Sequence, residues 1–196
     1  MSSDDLFRQR HLPPPPGGWD TLAVREVMDE PFLHVTAETV RTPQGHVLEP
    51  WWILHFPDWV MVLPVTEDGQ VVLLRQWRQG VRAVSLEVPG GGLDAEDTDP
   101  CAAGARELLE ETGYEARELR YLGRIWPDPA RNANCCHAVL ALDCRKVAEP
   151  ALEPGESIES FTVPMAEARA LLLRGEMTSA VQAMTMMRGL AELGVL

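Results

Sequence analysis

Residues 90–114 read GGGLDAEDTDPCAAGARELLEETGY and form the most informative stretch of the chain. Three glycines open it, and they let the backbone approach a ligand closely. Asp99 suits a helix N-cap, Pro100 the first helical position, and Gly113 the left-handed residue that ends many helices. The stretch therefore predicts a glycine-rich loop followed by a helix that begins at Pro100 and ends before Gly113.

Glutamates concentrate along one edge of this predicted helix. At about 100° per residue, Glu107, Glu110 and Glu111 fall within an arc of roughly 100°. Glu107 and Glu111 are four residues apart, and like charges at that spacing destabilise a helix unless something neutralises them. A divalent cation would do so, and carboxylate oxygens select Mg²⁺ or Mn²⁺. The alternative is a solvated acidic face, which many surface helices have. Apolar side chains cluster on the opposite side of the wheel: Cys101, Ala102, Ala105, Leu108 and Leu109.

The rest of the chain mixes predicted strands with predicted helices. A hairpin is indicated by two apolar segments that flank Glu67-Asp68-Gly69. Four prolines, Pro13 to Pro16, predict an extended arm near the N-terminus. Strands and helices in this order favour an α/β sandwich over a helical bundle. The predicted strands are 32–41 with a return strand from residue 46, then 58–65, 70–76, 119–125 and 136–142, and the later helices are 165–175 and 178–193.

Acidic residues outnumber basic ones, 30 to 17, and the net charge is −13. Such a charge repels nucleic-acid backbones and anionic membranes, so we expect no nucleic acid and no membrane as a partner. The longest strongly apolar stretch, Trp59 to Val65, is far shorter than the roughly 20 residues of a membrane span. The four cysteines show no CxxC pair and no zinc spacing, and the N-terminus lacks the pattern of a signal peptide. We therefore expect a cytoplasmic protein.

The loop and helix together resemble the Nudix box, a 23-residue pattern G-x5-E-x7-R-E-U-x-E-E-x-G-U in which U is a bulky apolar residue. The departure is Thr98, which occupies the first glutamate position, with Glu96 and Asp97 beside it. The matching residues are Gly92, Arg106, Glu107, Leu108, Glu110, Glu111 and Gly113, and Tyr114 holds the last apolar position.

Segments outside the box resemble the ADP-ribose pyrophosphatase branch of the Nudix hydrolase superfamily. They are Val71 to Arg78, Leu86 to Gly91, and the acidic segment from Glu153 to Glu159. The resemblance implies a Nudix-type α/β/α sandwich with a mixed sheet and a small N-terminal β extension. We expect a flexible proline-rich arm over 1–20, the extension over 21–57 and the Nudix hydrolase domain over 58–196.

The resemblance also implies an activity. The family hydrolyses a nucleoside diphosphate linked to another moiety with the help of Mg²⁺. For this branch we expect metal-dependent cleavage of the diphosphate bond of ADP-ribose or a related nucleoside diphosphate sugar, which gives a nucleoside monophosphate and a sugar phosphate. Mn²⁺ is the expected substitute for Mg²⁺, and the branch is commonly homodimeric.

The metal ligands follow from the same resemblance. Glu107 and Glu111 are expected to bridge the metals, with help from Glu110 and from the carbonyl of Gly91. Arg106 is expected to hold the loop and the helix together.

Residues outside the box receive roles as well. Glu156 is the candidate for a further metal ligand or general base, and Glu153 is the second choice. Arg78 and Glu87 are expected to contact the substrate, although a surface ion pair is an equal alternative for Arg78. Pro129 stands where the branch tends to place a proline, and Pro129 and Arg131 are expected to contact the substrate. The candidates for the distal-sugar pocket are Arg131, Asn132, Asn134 and His137.

A second interpretation is a Nudix domain that binds a nucleotide as a sensor or regulator without hydrolysing it. Thr98 and the divergent loop 127–134 favour this interpretation. The enzyme is favoured by the intact Arg106, Glu107, Glu110 and Glu111, because a sensor need not keep every carboxylate.

Overall fold

The computed structural model describes residues 17–30, 33–94 and 96–196, and these residues divide between two compact units, Met1–His55 and Phe56–Leu196. The four prolines of the expected N-terminal arm lie outside the described residues. Among the residues that the structure describes, no helix combines the length and apolar character required to cross a bilayer.

The first unit is an antiparallel sheet of three strands in its described part, in the order β1-β2-β3. The turn between β2 and β3 is closed by the Gly45 N–H, which donates to the Thr42 carbonyl at 2.9 Å. Gly45 has a φ of +86°, which favours glycine there. The sequence pattern did not predict β1 individually. The strands are β1 (Asp20–Glu30), β2 (Leu33–Arg41) and β3 (Val47–His55).

The second unit contains, in its described residues, a mixed sheet of eight strands and three helices. The sheet order is β11-β5-β4-β10-β8, with β6 beside β5, β7 beside β4 and β9 beside β10. The β4–β10 pair is parallel, and the other pairs are antiparallel. The strands are β4 (Trp59–Thr66), β5 (Gln70–Arg78), β6 (Ala83–Glu87), β7 (Gly90–Gly92), β8 (Tyr114–Glu115), β9 (Glu118–Ile125), β10 (Cys136–Lys146) and β11 (Ile158–Pro164), and the helices are α1 (Pro100–Thr112), α2 (Met165–Leu173) and α3 (Ala180–Glu192).

Strand β4 places the core on both faces of the sheet. Successive side chains of a strand point to opposite faces. Val60 and Val62 therefore pack with Leu108 of α1, whereas Met61 and Leu63 join the cluster that contains residues of α3. The sheet lies between helices, which confirms the predicted α/β/α sandwich.

Two glycines let these helices approach the central strand. A Cβ at Gly104 of α1 would lie 2.9 Å from a methyl of Val62, and a Cβ at Gly189 of α3 would overlap the side chain of Leu63. Glycine at both positions therefore brings the helix backbones close to adjacent residues of β4, one from each face.

The end signals of α1 are confirmed. Asp99 Oδ1 accepts a hydrogen bond from the Cys101 N–H at 2.9 Å, and Gly113 adopts a left-handed φ of +73°. The Gly113 carbonyl accepts from the Val147 N–H at 2.9 Å, which ties the helix end to the end of β10. The two later helices are each a few residues shorter than predicted, and Gly175, with a φ of +73°, follows α2.

Two glycines with the same φ provide a test of how tightly α1 is joined to the sheet. We expect Gly175→Ala to lower the free energy of unfolding by about 1 kcal/mol, the usual penalty for a side chain in the left-handed region. Gly113→Ala should cost at least about 1 kcal/mol more, because its Cβ would overlap the Ala148 carbonyl oxygen, whereas nothing lies within 4 Å of a Cβ at Gly175. Urea unfolding of both variants measures the difference, and equal losses would contradict the close contact.

Candidate active site

The glycine-rich loop forms the short strand β7, which pairs with β4. A Cβ at Gly90 would overlap the carbonyl oxygen of Val60, and a Cβ at Gly91 would lie 2.5 Å from Glu107 Oε2. Glycine is therefore required at Gly90, where the close atom belongs to the backbone, whereas a Cβ at Gly91 would have to displace the Glu107 carboxylate. The backbone of the loop lies directly against the carboxylate of Glu107.

Helix α1 buries part of its acidic edge. Glu107 is 8% exposed and Glu111 is 4% exposed, whereas Leu109 is 40% exposed. The buried face of the helix therefore overlaps the apolar side of the wheel only in part, since Leu108 is buried and Leu109 is exposed. The physical reason is the loop: Glu111 Oε2 accepts a hydrogen bond from the Gly90 N–H at 2.7 Å, so the acidic edge faces β7.

Burial makes these two carboxylates unusual acids. Burial, assisted by the charges of Glu107 and Glu156 and opposed by the Gly90 N–H, raises the pKa of Glu111 from 4.5 to about 8. Burial also raises the pKa of Glu107, although the neighbouring Arg106 opposes the shift. Glu107 and Glu111 both direct oxygen atoms at the glycine-rich loop, and the positive charge around them does not balance their negative charge. Such an arrangement fits a hard divalent cation.

Arg106 joins the helix to the loop. Its Nη1 donates to Glu107 Oε1 at 2.8 Å and to Glu110 Oε2 at 3.2 Å, and its Nη2 donates to Asp97 Oδ2 at 3.3 Å and to the Gly92 carbonyl at 3.5 Å. Asp97, which the sequence analysis noted only as a neighbour of Thr98, thus supplies the loop carboxylate that Arg106 contacts.

Glu156 lies near the same carboxylates although it is far away in sequence. After the effect of burial, its charge contributes to raising the pKa of both Glu107 and Glu111. Glu156 Oε2 accepts a hydrogen bond from the Glu153 N–H at 2.8 Å. The structure therefore brings Glu156 within electrostatic reach of α1 and uses the backbone of Glu153 to hold it.

A cavity of about 630 Å³ opens beside the loop. Its volume is within the range of small-molecule sites. Loop, strand and helix residues line it together: Trp59, Met61, Arg78, Gln79, Gly80, Val81, Ser85, Glu87, Gly90, Gly91, Gly92, Thr178, Ser179, Val181 and Gln182.

Arg78 and Glu87 form a pair on the wall of this cavity. Arg78 Nε donates to Glu87 Oε1 at 2.8 Å and Nη2 donates to Oε2 at 2.5 Å. The hydrogen bond to Glu87 raises the pKa of the Arg78 guanidinium. Glu87 is 3% exposed and also accepts from Gln182 Nε2 at 3.0 Å. Arg78 is therefore both ion-paired and part of the cavity. The expected substrate contact and the alternative ion pair are compatible.

Gln182 is a site residue that sequence reasoning missed. Its Oε1 accepts from the Val88 N–H at 2.8 Å, so this one amide connects α3 to the segment between β6 and the glycine loop. The available signal was a long polar side chain among the apolar residues of α3, and Gln182 is only 2% exposed.

Pro129 and Arg131 lie elsewhere, in an exposed turn between β9 and β10. The Asp128 carbonyl accepts from the Arg131 N–H at 3.1 Å and organises the turn. Neither residue lines the described cavity. Their contact with the substrate stays a prediction.

The second unit is thus a mixed α/β sandwich that carries two buried carboxylates beside a cavity of small-molecule size. The model of the NUDIX domain matches residues 55–183, which is well over half of the chain. The chain therefore belongs to the Nudix family, and it is a hydrolase of that family, as the sequence predicted.

Individual proteins agree with this assignment. The chain is 28% identical over 153 residues to an ADP-ribose pyrophosphatase of Bacillus subtilis (strain 168), a match that covers 78% of this chain and 82% of the relative. It is 30% identical over 157 residues to a CMP-5'-(N-acetyl-N-hydroxy-3-aminopropyl)phosphonate hydrolase of Streptomyces rubellomurinus (strain ATCC 31215), covering 80% and 75%. A crystal structure of an ADP compounds hydrolase superposes with a TM-score of 0.79 at 21% identity, over 94% of this chain and all of that one, which supports the fold.

The buried acid predicts how stability depends on pH in the absence of metal. Glu111 keeps its proton in the folded state up to about pH 8, whereas in the unfolded chain the proton leaves near the ordinary pKa of 4.5. The folded state then binds more protons between these values, so the free energy of unfolding falls as pH rises through this window. The loss should be on the order of a few kcal/mol.

Urea unfolding in chelator across this window tests the prediction. Glu111→Gln should flatten the slope, and Mg²⁺ should stabilise the wild-type protein more at the alkaline end. Glu110→Gln is the matched control, because the Glu110 side chain is 47% exposed. A slope in Glu111→Gln equal to that of the wild type would show that Glu111 is not the buried acid.

Proposed function

We propose that the chain hydrolyses, with a divalent cation, the diphosphate bond of ADP-ribose or a related nucleoside diphosphate sugar. The products are a nucleoside monophosphate and a sugar phosphate. The observation that carries the proposal is the buried pair of Glu107 and Glu111, which lie against Gly91 and Gly90 beside a cavity of about 630 Å³. The names of the two relatives support it, since both describe the hydrolysis of a nucleotide linked to a second group through phosphorus.

The proposed cation is Mg²⁺, with Mn²⁺ as a substitute. Its ligands would be the carboxylates of Glu107, Glu110, Glu111 and Glu156 and the carbonyl of Gly91. When bound, the cation neutralises the charge of the diphosphate and lowers the pKa of the attacking water.

The chain's own residues have separate tasks in this proposal. Arg106 keeps the loop at a fixed distance from α1 through its contacts with Glu107 and the Gly92 carbonyl. Glu156 serves as the further ligand or accepts the proton of the water, because its charge reaches the helix carboxylates. Glu153 remains the second choice for that proton.

Arg78 is proposed to bind the phosphates. A guanidinium has five N–H donors, and the pair with Glu87 engages Nε and Nη2, so Nη1 lies outside that pair. Glu87, held by Gln182, orients the guanidinium. In a chain with a net charge of −13, a fixed cation on the cavity wall favours the entry of an anionic substrate. Pro129 and Arg131 are proposed to contact the substrate, with Arg131 in the pocket of the distal sugar.

Product analysis with a panel of substrates tests the activity. ADP-ribose, UDP-glucose, GDP-mannose, NADH and diadenosine polyphosphates are incubated with Mg²⁺ or Mn²⁺. We expect AMP and ribose 5-phosphate from ADP-ribose. Glu107→Gln and Glu111→Gln should each lower kcat by about 100-fold or more, the scale seen when one preorganised electrostatic group is removed.

Glu149→Gln is the control for this experiment, because it removes the same charge from a side chain that is 88% exposed. Cleavage of a different panel member alone would support the proposed mechanism and would identify a different substrate. No cleavage, combined with a rise in Tm on adding ADP-ribose, would favour the nucleotide sensor. No cleavage and no effect of Mg²⁺ on Tm would overturn the proposed site.

We also propose a cytoplasmic homodimer. The four cysteines are free thiols, which suits a reducing compartment. Each of the eleven residues of β1 is exposed, and they include the apolar Leu22, Val24 and Met28 at 43%, 58% and 44%. Apolar side chains concentrated on an exposed sheet are typical of a surface that pairs with a second copy.

Light scattering after size exclusion tests the oligomeric state. At micromolar concentration we expect a mass twice the 21.7 kDa of the chain. The double variant Leu22→Glu and Val24→Glu should have the mass of one chain, because charges on the proposed dimer surface of β1 disfavour association. Leu173→Glu, at a residue that is 60% exposed in the second unit, should leave the mass unchanged. A wild-type monomer would refute the dimer.

A further inference from the structure

A second group of potential ligands lies where β4 and β10 begin. The parallel register pairs Trp59 with Cys136, and this places Asp58 beside Cys135. The Trp59 N–H donates to the Cys135 carbonyl at 3.0 Å, and the Cys135 N–H donates to Asp58 Oδ1 at 2.8 Å. His137 is two residues after Cys135, so its side chain points to the same face. The strand pairing therefore brings a carboxylate, a thiol and an imidazole together.

The three side chains are spaced as the ligands of one metal ion would be. Cys135 Sγ lies 3.2 Å from Asp58 Oδ2 and 3.5 Å from His137 Nε2, and Nε2 lies 3.5 Å from Oδ2. Tetrahedral zinc, with bonds of about 2.3 Å to sulfur and about 2.0–2.1 Å to nitrogen and oxygen, has ligand–ligand distances of about 3.3–3.6 Å. We propose that Asp58, Cys135 and His137 bind a transition metal ion of the zinc type, with water as the fourth ligand.

A neighbouring phenol holds the imidazole in the required orientation. Tyr121 Oη lies 2.9 Å from His137 Nδ1, so Nε2 is the nitrogen that faces Asp58 and Cys135. Metal-binding histidines usually engage the other ring nitrogen with an oxygen in this way. Cys135 is 6% exposed and the His137 side chain 12%, whereas the Asp58 side chain is 43% exposed. An ion would therefore reach the site past Asp58.

The donor atoms distinguish this site from the carboxylates of α1. Thiolate and imidazole select zinc and similar metals, and oxygen ligands select Mg²⁺ and Mn²⁺. No zinc spacing is visible along the chain because Asp58 and Cys135 are 77 residues apart and meet through the parallel strand pair.

Backbone contacts connect this site to the glycine-rich loop. The Asp58 carbonyl accepts from the Leu93 N–H at 2.8 Å, and Trp59 pairs with Gly92. A metal ion would therefore join the starts of β4 and β10 at the point where the loop ends. We expect it to raise the Tm, because binding to the folded state alone stabilises that state.

Cobalt provides the direct test, since Co²⁺ occupies zinc sites and has a visible spectrum. The full chain, reduced and freed of metal with chelator, is titrated with Co²⁺ in excess Mg²⁺ so that the carboxylates of α1 are saturated. We expect one equivalent to produce intense tetrahedral ligand-field bands and a thiolate-to-cobalt charge-transfer band. Zn²⁺ should then abolish both.

Variants identify the ligands. Cys135→Ser should abolish the charge-transfer band, and Cys101→Ser, at a half-buried cysteine of α1, should retain it. His137→Gln should weaken Co²⁺ binding by at least about 10-fold, and Tyr121→Phe by about 10-fold to 100-fold. Circular dichroism of each variant confirms that it is folded.

Two results would overturn the proposal. They are a charge-transfer band that persists in folded Cys135→Ser, and the lack of any tetrahedral spectrum in the folded wild-type protein. The readout is independent of catalysis, because Glu111→Gln should keep the full cobalt spectrum. Failure of the proposed hydrolase activity would therefore leave this test unaffected, and the reverse also holds.

Discussion

The rest of the second unit is organised around the burial of two carboxylates one helical turn apart. In isolation, Glu107 and Glu111 would repel each other and would lose favourable solvation. The fold offsets this penalty with the Gly90 N–H, which donates to Glu111, and with the Arg106 guanidinium, which donates to Glu107. The glycine-rich loop, the helix caps and the packing of α1 on β4 all keep those two side chains in place. These donors offset only part of the penalty, since the pKa values of both carboxylates remain raised.

Much of this arrangement could be predicted from the sequence, because helix caps, strand alternation and the helical wheel each depend on only a few neighbouring residues. Asp99 and Gly113 mark the ends of α1, and both adopt the predicted capping geometry. The alternating pattern of the strands and the order of elements were enough for the sandwich. The wheel of α1 predicted that the glutamates share an edge. It could not show that Glu107 and Glu111 are buried, because burial depends on where β7 lies.

Contacts between distant segments account for what the sequence could not predict. Gln182 reaches Glu87 across 95 residues, and Asp58 meets Cys135 across 77. Asp97 contacts Arg106 only because the loop folds back on the helix. In each case a polar side chain had no local pattern to distinguish it, and its partner was fixed by strand register or helix packing. Arg78 and Glu87 are a mixed case, since a resemblance of sequence named both residues and the structure added the pair between them.

The two glycines that face β4 have a consequence for how this chain can change during evolution. Gly104 and Gly189 approach Val62 and Leu63 from opposite faces of one strand. A larger residue in place of Gly104 or Gly189 needs a smaller residue at the position that it contacts on β4. Because Val62 and Leu63 are adjacent in that strand, the two contacts depend on the same stretch of backbone. Substitutions at these four positions should therefore occur in compensating combinations among homologous chains, so that the volume on both sides of β4 is conserved while the individual residues vary.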